Sequence, residues 1–361
     1  MVKSNRGAKV ANYLGALDIA IPLMFAVWYN YIESWTLAYS VFSVTGEYFG
    51  IHDFDGMRNF LQSFQGVQAG GHFSSISNPL FVFPFTAMLC FLLTVGLNVW
   101  ILTYASYLKP KDDLALTGLT TSITNEFAEV ILGGSLAIPI AVAFFGLAKT
   151  EEIARAAFDL PFAAMPMIFQ KLPLGRLFGM MWFSLLFFAG ITSSVALCSP
   201  AMAFLQGQMK MQRQKAALVV GAVLSLCGLP VALFFAHGFL NEMNFWSGTF
   251  GLVVFALVEV ILFAWLFGME RAWQEINLGA DIRLPLVFKF IIQFVSPIYL
   301  IVLLLFWGIQ QGVPTLLMTG QNSADVPYLW AARVMMAGLI IASVWLVARA
   351  YKRGTIRHEY R

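Results

Sequence analysis

Long apolar runs separated by short polar stretches dominate the hydrophobic pattern of this chain. Eight of these runs reach about 20 residues, which is the length that a helix needs to cross a bilayer. Their approximate bounds are 12–40, 81–107, 116–147, 175–205, 216–237, 246–268, 287–311 and 327–350. The runs are continuous and do not alternate apolar with polar residues, which excludes a membrane β-barrel. The pattern therefore predicts an all-α polytopic membrane protein with a single membrane domain.

Composition supports a membrane protein and gives no sign of an enzyme. Of the 361 residues, 59% are hydrophobic and only 11% are charged, whereas soluble domains carry about 25% charged residues. The three cysteines, Cys90, Cys198 and Cys227, lie in apolar runs, where they are expected to be small core residues. The sequence contains no CxxC or HExxH motif. We therefore expect no catalytic activity and no cofactor, with the possible exception of a bound ion.

The distribution of basic residues predicts the orientation in the membrane. If the N-terminus is cytoplasmic, the loops at 43–80 and 148–173 are outside and carry few basic residues, whereas the inside loops and the tail at 351–361 carry many. Cytoplasmic loops of membrane proteins carry an excess of Lys and Arg. We therefore expect a multi-pass protein of the cell (inner) membrane with both termini in the cytoplasm. The basic tail is expected to contact anionic headgroups of the bilayer.

A cluster of small polar groups ends the apolar stretch that begins at Leu177. Ala189, Thr192 and Ser193 are spaced at i, i+3 and i+4, so they share one helical face. Such hydroxyls commonly pack against a neighbouring helix or bond back to the preceding turn. The alternative is a sodium site, because a small hard cation prefers oxygen ligands and two hydroxyls with a carbonyl supply part of its shell. The spacing alone leaves both interpretations open.

The stretch "WFSLLFFAGITSSVAL" resembles the eighth helix of the neurotransmitter:sodium symporter family, especially its bacterial amino-acid transporters. The resemblance covers nearly all of the chain outside 43–80, including "IPLMFAVWYNYIESWTL" (third helix) and "TTSITNEFAEVILGGSLAIPIAVAFFG" (seventh helix). It implies that Ala189, Thr192 and Ser193 ligate a sodium ion and that Asn125 ligates a second one. It also implies that the Glu129 carboxylate supplies the negative charge that chloride supplies in other members.

The same resemblance implies a substrate pocket. Phe25, Tyr29, Ser193 and Leu197 match pocket positions, and the tyrosine that matches Tyr29 touches the substrate carboxylate. The resemblance therefore predicts binding of an amino acid or a similar small amine.

Two further acids lie in predicted spans. Glu33 is either a functional group or a structural hydrogen-bonding partner of a neighbouring helix, since acids inside a membrane need partners. Glu259 is expected to be buried in the sixth span.

The chain also departs from the family pattern. Its first run resembles the third helix of the family, and its second run passes from a likeness to the fourth helix into the end of the sixth. The resemblance thus implies an incomplete inverted-repeat fold that lacks the first, second, fifth and most of the sixth helix, with the scaffold kept and most of the bundle lost. Asn244 and Gly207 stand where the family has the acids of its outer and inner gates.

These expectations define two functions from different classes. The resemblance implies sodium-coupled uptake of an amino acid or small amine, impaired in this chain alone. The alternative is a non-transporting scaffold or an accessory subunit of a larger membrane complex. In either case we expect the bilayer as a partner, no nucleic acid, and a possible partner membrane subunit over the groove left by the missing helices.

Overall fold

The structure, a computed structural model, describes residues 5–67, 112–155 and 158–352; the side chains of residues 5–13 and of residue 155 are not included. Within these ranges the chain is almost entirely helical, which confirms the predicted all-α fold class. The α-helices, in chain order, are α1 (Asn5–Thr45), α2 (Phe54–Phe64), α3 (Leu114–Glu126), α4 (Gly134–Phe145), α5 (Leu147–Arg155), α6 (Met165–Lys171), α7 (Gly175–Gly207), α8 (Arg213–Leu233), α9 (Phe239–Met243), α10 (Phe250–Ile261), α11 (Met269–Ile276), α12 (Leu286–Phe290), α13 (Ser296–Trp307), α14 (Val313–Leu316) and α15 (Val326–Lys352).

Seven helical stretches of the described residues are long and apolar enough to cross a membrane. Each one overlaps a predicted apolar run, and the remaining predicted span, 81–107, lies outside the described residues. The seven stretches are Leu14–Thr45, Leu114–Phe145, Gly175–Gly207, Arg213–Leu233, Phe239–Ile276, Leu286–Leu316 and Val326–Lys352.

Several of these stretches are interrupted by π-helical turns, and one short 3₁₀ turn, Phe235–His237, precedes α9. The π-helical segments are Phe127–Gly133, Leu160–Ala164, Asn244–Thr249, Leu262–Gly268, Ile291–Val295 and Gly308–Gly312. A π-helical turn accommodates an extra residue and changes which side chains share a face. Asn125 and Glu129, four residues apart, therefore do not keep α-helical spacing, because the π-helical segment begins between them.

The chain divides into two compact units, which we describe separately. The described part of the first unit comprises residues 5–29, 112–116 and 194–352, and that of the second comprises 30–67, 117–155 and 158–193. The long helices α1 and α7 each contribute to both units.

In the second unit, aromatic side chains build the core between α1, α7 and the segment before α6. Tyr39 is fully buried, and its ring centroid lies 5.1 Å from that of Phe162 and 5.2 Å from that of Phe183. Trp35 packs edge-on against Phe162 at 5.5 Å. Aromatic pairs at these distances contribute beyond the area that they bury. This cluster holds the C-terminal half of α1 against α7.

Part of the predicted outside loop 43–80 is helical, because α2 has an amphipathic sequence with a good N-cap. The Asp53 carboxylate accepts a hydrogen bond from the backbone N–H of Gly56 at 2.6 Å, which satisfies one of the free donors at a helix start. Arg58 on α2 forms an ion pair of 3.1 Å with Asp159. Burial raises the pKa of Asp159, while the Arg58 charge opposes that shift. The loop helix is thus fixed to the segment that precedes α6.

In the first unit, an ion pair joins α9 to α15. Arg333 donates from Nε to a Glu242 carboxylate oxygen at 2.6 Å, and its other nitrogens donate to the carbonyls of Thr315 and Leu316. The Trp246 indole N–H donates to the same carboxylate at 2.7 Å. Nearby, His237 stacks on Tyr328 and lies 2.7 Å from Asp325. Buried charges need such partners because desolvation is costly.

Candidate functional site

One turn of α7 in the second unit collects three oxygen atoms. The hydroxyls of Thr192 and Ser193 both donate to the Ala189 carbonyl oxygen, at 2.8 Å and 3.2 Å. All three residues are exposed. The hydroxyls therefore bond back to the preceding turn, as one of the two interpretations of their spacing predicts. Each hydroxyl oxygen still has lone pairs to offer, so this donor set also fits a hard cation, and sodium ligation stays a prediction.

The other side of this turn is packed against the acid that lies in the first predicted span. Gly190 follows Ala189 and is buried, and Glu33 on α1 is only 3% exposed. A methyl group added to Gly190 would lie 2.7 Å from a Glu33 carboxyl oxygen and 2.9 Å from its Cγ. Sequence reasoning identified Glu33 as a candidate but did not place it at the α7 turn. The feature of the sequence that could have indicated this contact is the glycine directly after Ala189, because a glycine lets a neighbouring helix approach closely.

Three aromatic residues form a cluster on α1 in the first unit. The ring centroids of Phe25 and Tyr29, both predicted pocket residues, lie 5.5 Å apart, and Phe25 lies 4.5 Å from Trp28. The Trp28 indole N–H donates to the Ser247 hydroxyl at 3.0 Å. Sequence reasoning missed Trp28, although its spacing of three residues from Phe25 places both on one helical face.

The structure brings Asn244, which the resemblance assigned to an altered outer gate, to this aromatic cluster. A methyl group added to Gly248 would lie 2.5 Å from the Asn244 amide oxygen, 3.0 Å from Trp28 and 3.2 Å from Phe25. Asn244 and Phe25 therefore border the same glycine in the first unit. The resemblance assigned Asn244 to a gate and Phe25 to a pocket, but it did not indicate that Gly248 lies beside both.

The remaining predicted residues are placed separately. Asn125 lies near the end of α3 and Glu129 in the π-helical segment after it, and both are exposed. Leu197 is half-buried on α7, and Gly207 is the exposed last residue of that helix. The roles of these residues in ion binding, substrate binding and gating stay predictions.

Glu259 differs from its prediction. It is exposed on α10 rather than buried, and it lines an open cavity of about 530 Å³ together with apolar residues that include Phe263 and Phe267. Nearly every residue around Glu259 is hydrophobic, so the sequence has no helical periodicity that would distinguish a buried face of this span from an exposed one. The exposure of Glu259 could therefore not be predicted from the sequence.

Comparisons with known proteins match most of the chain. The model of the sodium:neurotransmitter symporter family matches residues 69–355. An uncharacterized sodium-dependent transporter of Methanocaldococcus jannaschii is 27% identical over an alignment of 219 positions that covers 58% of this chain and 43% of that protein. The sodium-dependent nutrient amino acid transporter 1 of Drosophila grimshawi is 27% identical over an alignment of 161 positions that covers 43% of this chain and 25% of that protein. The chain thus spans less than half the length of these curated relatives.

A solved structure shows the same fold. The crystal structure of MhsT in complex with L-phenylalanine aligns with a TM-score of 0.59 and 18% sequence identity, and the alignment covers 81% of this chain and 80% of MhsT. The family consists of transporters, which confirms the prediction that the chain is not an enzyme. The seven potential spans among the described residues agree with a multi-pass membrane protein. With a family model that matches 287 of its 361 residues, from 69 to 355, the chain belongs to the sodium:neurotransmitter symporter family.

Proposed function

We propose that the chain takes part in the sodium-coupled uptake of an amino acid or a similar small amine. The observation that carries this proposal is the turn of α7 where the hydroxyls of Thr192 and Ser193 both lie within hydrogen-bonding distance of the Ala189 carbonyl oxygen. Oxygen ligands of this kind suit a hard cation. The names of the relatives support the substrate class, since one is a nutrient amino acid transporter and MhsT was solved with L-phenylalanine.

In this proposal the ions and the substrate are held by two sets of residues that share Ser193. Ala189, Thr192 and Ser193 hold one sodium ion, and Asn125 contributes to a second. Glu129 supplies a fixed negative charge near the ions, so that uptake does not require chloride.

The proposed substrate residues come from α1 and α7. Phe25, Tyr29, Ser193 and Leu197 contact the amino acid, with the Tyr29 phenol at its carboxylate. We further propose that uptake by this chain alone is impaired, because Asn244 and Gly207 replace the acids that the family resemblance predicts at the two gates.

A second function is favoured by one observation about the span Leu114–Phe145. Only 6% of its apolar segment is buried, and it exposes Asn125, Glu126 and Glu129. Polar and acidic residues that face lipid are costly, so such groups usually face protein or water. A partner membrane subunit over this face would satisfy them. The second proposal is therefore a scaffold or accessory subunit that does not itself transport.

We place the protein in the cell (inner) membrane with both termini in the cytoplasm. The excess of basic residues in the inside loops and in the tail supports this orientation.

Thermal unfolding of the purified full chain in sodium and in potassium, across a panel of amino acids, tests the proposed function. A ligand at about 100 times its Kd stabilises a protein by about 2.7 kcal/mol. We expect a rise in the melting temperature that requires both sodium and at least one amino acid. Thr192→Val and Ser193→Ala should weaken it. Thr121→Val is the matched control, because the Thr121 hydroxyl is also exposed and bonds back to a carbonyl, that of Thr117, at 2.8 Å.

Two results would decide against transport. If no combination of sodium and amino acid raised the melting temperature, and reconstituted vesicles with a sodium gradient took up no labelled amino acid, the first proposal would be wrong. A stoichiometric foreign subunit in the protein purified from native membranes would then support the scaffold function. An equal loss in Thr192→Val and Thr121→Val would remove the assignment of the sodium site to the α7 turn.

A further inference from the structure

We propose that Glu33 is a positioning residue that holds the sodium-binding turn of α7 in place through its contact with Gly190. The inference rests on the proposed function, since it takes the oxygens of Ala189, Thr192 and Ser193 as sodium ligands. The Glu33 carboxyl group is buried in the second unit, and it lies against the residue that follows the ligating carbonyl.

The contact lies on a close antiparallel interface between α1 and α7. The hydroxyls of Ser40 and Ser184 share a hydrogen bond of 2.7 Å, and a methyl group added to Gly179 would lie 2.7 Å from the Tyr48 hydroxyl and 2.8 Å from the Ser43 hydroxyl. From Ser43 towards Glu33 on α1, the contacts thus move from Gly179 towards Gly190 on α7. Of the two glycines, Gly190 adjoins the oxygen-bearing turn, and Gly179 lies about three turns away.

The peptide plane links this contact to the proposed ligand. The Ala189 carbonyl and the Gly190 N and Cα atoms belong to one planar peptide unit. A displacement of the Gly190 Cα away from Glu33 therefore also moves the Ala189 carbonyl oxygen. Because Thr192 and Ser193 bond to that oxygen, their hydroxyls move with it. The separation of Glu33 and Gly190 thus determines the geometry of all three proposed ligands.

The proposed role depends on the shape of the Glu33 side chain and not on its charge. Glutamine has nearly the shape of glutamic acid, whereas alanine removes the atoms that approach Gly190. The three nearest atoms that a Gly190 methyl group would meet all belong to the Glu33 side chain beyond its Cβ. The fit between the two helices at this contact can therefore be changed by a substitution at Glu33 or by one at Gly190.

The experiment titrates sodium against the thermal stability of the full chain at a fixed amino-acid concentration and compares half-saturating sodium concentrations. Gly190→Ala should raise that concentration at least about fivefold, because coupled neighbouring residues commonly interact by enough energy to change an equilibrium by that factor. Glu33→Gln, which keeps the shape, should stay within about twofold of the unaltered chain. The double variant Glu33→Ala/Gly190→Ala should bind sodium about as well as Glu33→Ala alone, because its added methyl group no longer meets the Glu33 side-chain atoms.

Gly179→Ala is the matched control, since it introduces a similar overlap on the same helix away from the oxygens. It should lower the melting temperature but leave the half-saturating sodium concentration within about twofold. Equal sodium concentrations for Gly190→Ala and the unaltered chain would overturn the inference, as would equal shifts in the two glycine variants. A Glu33→Gln variant that lost its response to sodium would also overturn it, because charge rather than position would then be responsible.

The outcome separates this inference from the proposed function. If the unaltered chain showed no sodium response at all, both would fail. If it responded but the glycine variants did not differ, only the positioning role of Glu33 would fail. Should Gly190→Ala not fold, the double variant decides: a half-saturating sodium concentration near that of Glu33→Ala alone supports the inference, and a further loss of at least about fivefold contradicts it.

Discussion

Ala189 and Gly190 are neighbours in the sequence, but one is exposed beside two hydroxyls and the other is buried against a carboxyl group. This single turn of α7 therefore combines a proposed ligand with a helix-packing contact. The hydroxyl spacing could be recognised from the sequence because a helix repeats every 3.6 residues. The contact with Glu33 could not, because it depends on the register between two helices that are more than 150 positions apart.

The aromatic cluster of the first unit shows the same limit at the residue scale. Phe25 and Tyr29 were predicted from resemblance, and their ring contact follows from their spacing of four residues. The bond from Trp28 to Ser247 and the position of Gly248 required the fold. Sequence reasoning thus identified residues on one helix, but not the residues that a second helix brings to them.

A substitution at Gly248 should test whether this cluster is tightly packed. In Gly248→Ala the added methyl group would overlap the Asn244 amide and press on Trp28 and Phe25. Overpacking of this kind typically costs about 1–3 kcal/mol, so we expect a clear fall in the melting temperature. Fluorescence of the variant should also report a change around Trp28.

Gly338→Ala provides the control for this prediction. Gly338 lies in α15 of the same unit, and a methyl group there would meet no atom within 4 Å. Replacing an exposed helical glycine by alanine is expected to be neutral or to stabilise by about 0.5–1 kcal/mol. Equal melting temperatures for the two variants would show that the space around Gly248 is looser than the structure indicates.

At the scale of elements, the apolar runs located every described span, because a bilayer demands about 20 apolar residues in each. The π-helical segments were not predicted, since an extra residue in a helical turn is determined by tertiary packing rather than by composition. Helix α2 was missed inside a loop for a different reason. It is short, and its buried side chains, Met57, Leu61 and Phe64, need neighbouring elements to cover them.

The start of α3 gives a prediction that depends on pH. The Asp113 carboxylate accepts hydrogen bonds from the backbone N–H groups of Leu116 and Asp281, each at 2.8 Å, and these bonds lower the pKa of Asp113 from its ordinary value of 3.8. A group with a lowered folded-state pKa stabilises the protein above its unfolded-state pKa, and this contribution disappears as the pH falls through the folded-state value. Asp113→Ala should therefore lower the melting temperature at neutral pH.

The difference from the unaltered chain should begin to shrink near pH 3.8, where the unfolded-state carboxyl group becomes protonated, and should disappear as the pH falls through the lower folded-state pKa. Melting curves in detergent from pH 7 to about pH 3 measure this directly. Glu275→Ala, at an exposed acid of the same unit, controls for the loss of one negative charge. A difference for Asp113→Ala that stayed constant across the range would mean that the bonds to Leu116 and Asp281 do not depend on the charge.

At the scale of the whole molecule, the spans differ greatly in how much of their surface the protein itself covers. The apolar segment of Leu14–Thr45 is 67% buried, whereas those of Leu114–Phe145 and Leu286–Leu316 are each only 6% buried. The apolar side chains on Leu286–Leu316 are expected to face lipid. Leu114–Phe145 is different because it also exposes acids, which are costly in lipid. Hydropathy alone therefore does not distinguish a face of this span that lipid covers from a face that a partner protein would cover.

The number of spans determines on which side of the membrane the two ends lie. The seven described spans alone would place the termini on opposite sides, whereas the predicted eighth span at 81–107, outside the described residues, would return the C-terminus to the side of the N-terminus. The basic residues of the inside loops favour the second arrangement, with both ends in the cytoplasm. Reporter domains inserted into the full chain test this. Alkaline phosphatase, which is active only outside the cytoplasm, should be active after Gly66 and inactive after Asp112.

A second pair of reporters ensures that the topology is not inferred from a single insertion site. Alkaline phosphatase inserted after Thr150, in the next predicted outside segment, should match the insertion after Gly66, and green fluorescent protein fused after Arg361 should fluoresce. Activity after both Gly66 and Asp112 would mean that residues 81–107 do not cross the membrane. The positive charges at Lys109 and Lys111 would then lie outside, against the usual asymmetry. In that case the span Leu114–Phe145 would cross the membrane from outside to inside, opposite to the direction expected here.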